Sequence, residues 1–490
     1  MHETLRPKVE LLAPGLLEQI IDEGLTVLER TGVFVENAEA RALLAGTGAV
    51  VEAARDRVRI PRSVMERLLA LAPAAITFYD RAGEKSYVVG GDEVHFDPGS
   101  AGVRILDHAT QTERPPVTAD LVAFVRLTEA CPNLDFQSTG LVSRDIPEVL
   151  GDSYRLCIGL QYSTKPIVTG TFRVAGFAPM QAMLAAVRGG SEGLRRNPLA
   201  IFDACPSPPL KWSHLTAQSL IDCARAGIPS ELISMGMTGA ASPATITGTL
   251  VQHVVENLAG LAIGQAAEPG APIIFGGSPS SFDMRKGTTP MGAMETMMID
   301  MAYAQIGKRL NLPTHAYIGL SDAKINDAQA GSETGIGTVL AALAGINVIS
   351  GAGMMDYETT ISLEKLLIDD EICGQALRLV RGIAQREDPI ALHIFENFDP
   401  ATQFLKLPHT RKWYRLEHSF PKLADRDNYD AWVASGRKSI ADRAHEEVLQ
   451  ILETTAPRFP EAGLQDELLA IMKADAERNG AGRLPLFTES

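Results

Sequence analysis

No stretch of this 490-residue sequence reaches the ~18 uninterrupted apolar residues that a membrane-spanning helix needs, so no membrane span is expected. Cysteine is scarce. Cys131, Cys157, Cys205, Cys223 and Cys373 are odd in number and none sits at C-x-x-C spacing, which argues against a disulfide framework or a structural zinc site. Positive charge is outweighed: 45 Lys and Arg face 60 Asp and Glu, a net charge of -15. Such a surface would repel nucleic acid and anionic lipid, so neither is an expected partner. The start, MHETLRPKVELLAP, lacks a basic segment followed by an apolar one, so no secretory signal and a cytoplasmic location are expected. No HxxE, HxH or EF-hand-like spacing accompanies the acidic residues of the loops that follow the strand candidates, and no metal is expected.

What is present reads as a repeating unit. In APIIFGGSPSSFDMRKGTTPMGAMETMM an apolar run, Ile273-Ile274-Phe275, breaks into Gly276-Gly277-Ser278-Pro279. A polar loop with Asp283, Arg285 and Lys286 follows, then a helical pattern. Strand candidates of this kind are Asp135–Val142, Pro166–Gly170, Leu199–Ala204, Leu232–Gly236, Pro272–Gly276, His315–Gly319, Ile346–Gly351 and, weakest, Ser362–Leu367. Helical patterns lie between most of them, clearest in TGTLVQHVVENLAGLAIGQA. Eight alternations predict an α/β fold, a (β/α)8 TIM barrel, over 133–380. A doubly wound sheet is the alternative, but no GxGxxG follows a first strand.

Residues 1–132 read as an N-terminal extension. LLEQIIDEGLTVLERTG has helical spacing and stops at Gly32; Pro61 and Arg62 stand near another helix start; 117–131 is a further helix. ITFYDRA, SYVVGG, EVHFDPG and GVRILD predict a small antiparallel sheet of hairpins. Residues 381–490 read as a helical cap.

Several motifs carry a resemblance to a known family. They include GVRILDHATQTERPPVTADL, STKPIVTGT, LISMGMTGAASPATITG, GGSPSSFDMRKGTTPMGAMET, GLSDAKINDAQAGSE, SGAGMMDYETTISLEKLLIDDEI and PHTRKWYR. In these, from about Leu12 to Leu452, the chain resembles the trimethylamine methyltransferase family, in its branch without pyrrolysine, which includes glycine betaine methyltransferases. The resemblance implies transfer of a methyl group from an amine to the cob(I)alamin of a separate small corrinoid protein, with no cofactor held tightly by this chain. The region matching the pyrrolysine segment, near Gly319–Gln329, holds only standard residues. A neutral tertiary amine would expel an amide anion and needs covalent activation. A quaternary ammonium leaves as a neutral amine, so the enzyme need only orient the N–CH3 bond and exclude water. A betaine such as glycine betaine is therefore the expected substrate class. A homo-oligomer is also expected.

A quaternary ammonium asks for aromatic faces. Phe172, Phe202, Trp212, Phe275, Phe282, Tyr317 and Tyr357 lie at or beyond strand ends; Phe202, Phe282, Tyr317 and Tyr357 sit in the most polar loops. A betaine carboxylate asks for donors, and Arg285, Lys324 and His315 are candidates. For Arg285 the competing reading is an ion pair with Asp283 or Glu295. Among the acids near the same loops, Glu295, Asp322 and Asp356 are the catalytic candidates, with Asp283, Glu358, Asp369 and Asp370 alongside. The small residues Gly276, Gly277, Ser278, Gly351 and Gly353 could admit a large planar cofactor, or could be tight turns. Two other readings remain open: a folate-linked methyltransferase on the same barrel, and a non-catalytic quaternary-ammonium binding protein.

Overall fold

The computed structural model describes residues 4–396 and 398–485. Eight short strands form its centre: β1 (His95–Pro98), β2 (Gln137–Ser138), β3 (Ile167–Gly170), β4 (Ala200–Ala204), β5 (Ser230–Ser234), β6 (Ile273–Gly277), β7 (His315–Tyr317) and β8 (Val348–Ala352). They pair in parallel as one run from β2 to β6 and another from β7 through β8 to β1. Two seams join the runs. Phe275 bridges Thr314 between β6 and β7, and the Phe96 carbonyl accepts from the Asp135 and Phe136 amides at 2.9 and 3.3 Å between β1 and β2. The sheet thus closes on itself as a (β/α)8 barrel and leaves no open edge.

A helix follows each strand: α1 (Thr118–Ala130), α2 (Gly151–Tyr162), α3 (Phe177–Val187), α4 (His214–Ala226), α5 (Ile246–Ala267), α6 (Met294–Arg309), α7 (Ala328–Ala344) and α8 (Leu363–Val380). Several start where a side chain can hold the first free amides. Ser213, Asp327 and Ser362 accept from the amides of Thr216, Ala330 and Lys365, capping α4, α7 and α8. Helix α5 is buried on nearly every face. The N-terminal helices Pro14–Arg30, Ala38–Thr47 and Arg62–Leu69 cover its outer side.

Two strand expectations are corrected here. Ser362–Leu367 is not a strand: Ser362 is the cap of α8, and LEKLLIDDEI repeats its apolar residues at helical spacing. The eighth barrel strand is instead HFDP, in the stretch expected to form only hairpins; it pairs in parallel with β8. The neighbouring hairpin of Ala75–Tyr79 and Ser86–Gly90 does form. Its Phe78 and Tyr87 pack against Phe136, Val168, Ile201, Ile274 and Val348 and close the amino end of the barrel. Each such buried aromatic contributes on the order of 1.5–3 kcal/mol.

At the other end, Arg104–Asp107 and Thr112–Arg114 form a hairpin that pairs with Thr360–Ile361. This small sheet stands beside the mouth, where the loops after β1 and β8 meet. The C-terminal helix Ile440–Thr454 packs on α8 and α1, and Ala462–Arg478 packs on α2 and α3. Among the described residues no helix is long and apolar enough to cross a membrane.

Candidate active site

Paired residues of adjacent parallel strands point to the same face, and the face alternates along each strand. The register therefore fixes which residues fill the barrel. Above the apolar floor of Phe136, Val168, Ile201, Ile274 and Val348 come Ser138, Gly170, Asp203, Gly276 and Ser350, each two residues further along. Strand β1 adds Asp97, β5 adds Glu231, and β7 adds His315 and Tyr317. The interior is apolar at the bottom and strongly polar one layer up.

That polar layer is a connected network. The Ser350 hydroxyl donates to Asp97 Oδ1 at 2.8 Å and takes a hydrogen bond from His315 Nε2 at 2.9 Å. Nε2 is thereby assigned the proton, and Nδ1 of His315 has no partner among the described residues. Burial depresses the His315 pKa to about 3, so the ring is neutral. The Tyr317 hydroxyl lies 3.4 Å from Asp203 Oδ2, and its ring meets His315 edge to face. Gly276 makes room for this pair: a Cβ there would stand 3.0 Å from the His315 side chain.

The carboxyls are poorly compensated. Neither oxygen of Glu231 and only one of Asp203 has a hydrogen bond of normal geometry. Burial raises Asp97, Asp203 and Glu231 alike, and repulsion from Asp203 raises Glu231 further. Arg155 reaches in from α2, fully buried, donating to the Thr139 carbonyl at 2.9 Å and standing 3.5 Å from Asp152. Three buried carboxyls thus face the barrel interior, with one buried guanidinium close enough to Asp203 to interact with its charge.

The mouth is bounded by the loops after β6, β7 and β8. In the last, Asp356, Tyr357 and Glu358 have φ of 46°, 55° and 64°, three left-handed residues in a row without a glycine. Each costs about 1–3 kcal/mol, and surrounding contacts must hold the turn. Lys324 does so, 3.0 Å from Asp356 and 4.1 Å over the Tyr357 ring. The turn aims Glu358 across the mouth to Ser278, whose hydroxyl donates at 3.0 and 3.2 Å. Burial lifts Glu358 to about 7. Asp322 accepts from the Met291 and Gly292 amides at 2.9 Å each, and burial still lifts it to about 6.

The expected site residues divide accordingly. His315 and Tyr317 face the interior; Ser278, Asp322, Lys324, Asp356 and Tyr357 stand at the mouth. Phe202 lies elsewhere: it points outward from β4 and packs edge to face on Phe177 of α3, because the alternation that turns Asp203 inward turns Phe202 out. Phe282, Arg285 and Glu295 line a separate groove of about 620 Å³ at the rim between the loops after β5 and β6. Arg285 is exposed and pairs with Asp283 at 3.0 Å, so its competing reading describes it. The glycines offer no face to a planar cofactor. A Cβ on Gly277 would meet His253 at 2.5 Å, on Gly351 the Ile318 carbonyl at 2.7 Å, and on Gly353 the Leu366 side chain at 3.3 Å.

A family model described as trimethylamine methyltransferase (MTTB) matches residues 2–478. The chain belongs to the trimethylamine methyltransferase family. It is 32% identical over 459 residues to trimethylamine methyltransferase MttB of Desulfitobacterium hafniense, spanning 94% of this chain and 92% of that one. It is 31% identical over 456 residues to the glycine betaine methyltransferase of D. hafniense strain Y51, spanning 92% and 94%. Among solved structures, the monomethylamine methyltransferase MtmB of Methanosarcina barkeri superposes with a TM-score of 0.51 at 10% identity, over 91% of this chain and 89% of that one. That likeness concerns the fold, and it agrees with the closed barrel.

This member of the trimethylamine methyltransferase family carries interior residues that the sequence reading passed over: Asp97, Asp203, Glu231, Arg155 and Ser350. Asp203 and Glu231 had a usable signal. Buried parallel strands are near-continuously apolar, and LAIFDA and SELIS each interrupt that pattern with one carboxylate. Asp97 lacked one, because HFDP reads as a turn-bounded hairpin strand.

Proposed function

We propose that this chain transfers a methyl group from a quaternary ammonium compound of the betaine class, glycine betaine among them, to the cob(I)alamin of a separate small corrinoid protein. One observation carries the reading. Asp203 and Glu231 line the barrel interior with carboxyl oxygens, Oδ1 of the first and both of the second, that no donor satisfies among the described residues, while neighbouring Asp97 accepts from Ser350. A buried, unsatisfied carboxylate is costly, and a cation with no N–H to donate compensates it through charge alone. Tyr317, one ring edge away, adds the aromatic face such a cation prefers. The kinship with a glycine betaine methyltransferase supports the same class.

The chain's own residues bind, orient and exclude water. The ammonium sits on the polar layer with one methyl toward the mouth, and Arg155 is the buried cation for a betaine carboxylate. Departure as a neutral tertiary amine requires no proton, so the neutral His315 acts by holding the network in place. When bound, the corrinoid supplies the nucleophile that takes the methyl. Exposed apolar side chains support docking of a large visitor from outside: Met235, Met284 and Ile325 on the surrounding loops and Met294 at the start of α6. Docking on Ser278–Thr289, Leu320–Gln329 and Gly351–Thr359 follows. Exposed Ile383, Leu405 and Phe420 in the C-terminal segment support a homo-oligomer.

An in vitro transfer assay to cob(I)alamin across betaines and methylamines tests the reading. Loss of the cob(I)alamin absorption with at least one quaternary compound, and none with trimethylamine, is expected. Efficient turnover of trimethylamine would overturn it.

A further inference from the structure

Beside the mouth, away from the barrel interior, three distant segments bring together His108, Glu364 and His445. His108 tops the hairpin after β1, Glu364 begins α8, and His445 lies on the C-terminal helix Ile440–Thr454. The two imidazoles stack with centroids 4.1 Å apart and planes 10° from parallel. His445 Nδ1 lies 2.9 Å from Glu364 Oε1. One donor atom from each of the three residues falls within 4.8 Å of the others. Asp442, one turn before His445, places Oδ1 4.0 Å from His108 Nε2.

We propose that His108, His445 and Glu364 bind a divalent transition-metal ion of the zinc type, with Asp442 or water in the fourth position. Two nitrogens and a carboxylate oxygen are a donor set that zinc accepts. Donors ~2.0–2.1 Å from a tetrahedral ion stand about 3.3 Å apart. The present spacing closes to that by rotating two partly exposed imidazoles, while the buried Glu364 stays fixed. Glu364 has a further reason to take an ion: apart from His445, among the described residues its carboxylate receives only the Ser362 hydroxyl at 3.1 Å. Sequence spacing could not reveal the set, because its members are more than two hundred residues apart at the widest step. The ion would tie the C-terminal helix to the sheet beside the mouth, a structural clamp independent of the methyl-transfer site.

The test uses the full-length protein, stripped with a chelator and dialysed, titrated with Zn²⁺ by calorimetry with metal analysis of the product. One equivalent bound at micromolar affinity or tighter, and a melting temperature that rises with Zn²⁺ concentration, are expected. His108→Gln and His445→Gln should each weaken binding at least tenfold while circular dichroism of the metal-free proteins stays that of wild type. These two keep the test decisive should Glu364→Gln disturb the start of α8. His393 and His409 near Glu387 form a looser group elsewhere, at 3.4 and 3.7 Å. No stoichiometric zinc, unchanged affinity in both histidine variants, or loss only in His409→Gln would overturn the proposal.

Discussion

Glu231 Oε1 stands 3.7 Å from Nε2 of His315, both fully buried, yet neither Glu231 oxygen is hydrogen-bonded. Nε2 already donates to Ser350. The carboxyl therefore faces a neutral ring whose one proton is already engaged, and burial and Asp203 push its pKa up, so a cationic ligand is what would favour its ionised form.

Replacing that carboxyl should separate binding from stability. In Glu231→Gln or Asp203→Asn, calorimetry with glycine betaine should show affinity at least tenfold weaker, about 1.4 kcal/mol. Thermal unfolding should show no loss of stability, because an uncompensated buried carboxyl costs the fold more than an amide does. A large fall in melting temperature with unchanged affinity would assign both residues to the structure alone.

The aromatic contribution should belong to Tyr317. Tyr317→Leu should weaken quaternary-ammonium binding by ~0.5–2 kcal/mol. Phe202→Leu, at a position facing α3, should lower stability and leave affinity unchanged. The reverse pattern would mean that the interior has been assigned to the wrong strand face.

Affinity for a cationic ligand should rise with pH. Burial places Asp322 at about 6 and Glu358 at about 7, and each favours a cation only when ionised. The dissociation constant should fall between pH 5 and about 8, and Glu358→Gln should remove the upper step. Stability moves oppositely. Folded values above the ordinary ones near ~4 mean that the folded protein holds protons the unfolded chain has released, so these groups' contribution is lost as pH rises from about 4 to about 7. The slope should flatten in both Asp322→Asn and Glu358→Gln; an unchanged slope in chemical denaturation would contradict the assignment.

Lys324 should act on the strained turn. Its side chain is half exposed, so its ion pair with Asp356 is worth under about 1 kcal/mol to global stability. Lys324→Met should leave the melting temperature nearly unchanged, accelerate amide exchange across 356–359, and lower turnover. Unaltered exchange there would show that the turn holds itself.

Much of the fold was legible from alternating apolar runs and helical patterns, including seven of the barrel strands. The exception is instructive. HFDP is four residues long with a carboxylate inside, whereas TTISLEKLL is longer and carries more apolar residues; length favours the wrong segment, and Ser362 is its helix cap. The site was legible in part. His315, Tyr317 and Asp322 could be named because polar or aromatic groups at strand ends are suspicious. Phe202 against Asp203 could not be decided, since a strand buried on both faces gives no parity from its own sequence. Register with β5 decides it. Arg155 comes from a helix, and only packing brings it inward.

The central claim is that the barrel interior recognises positive charge. Glycine betaine and 3,3-dimethylbutanoate differ in the atom that bears the methyl groups, nitrogen cation against neutral carbon, with nearly the same shape. Calorimetric titration of the wild-type protein with each should give at least tenfold tighter binding of the betaine, and the preference should collapse in Asp203→Asn and Glu231→Gln. Equal affinity for the two compounds, or a preference undiminished in both variants, would contradict the account.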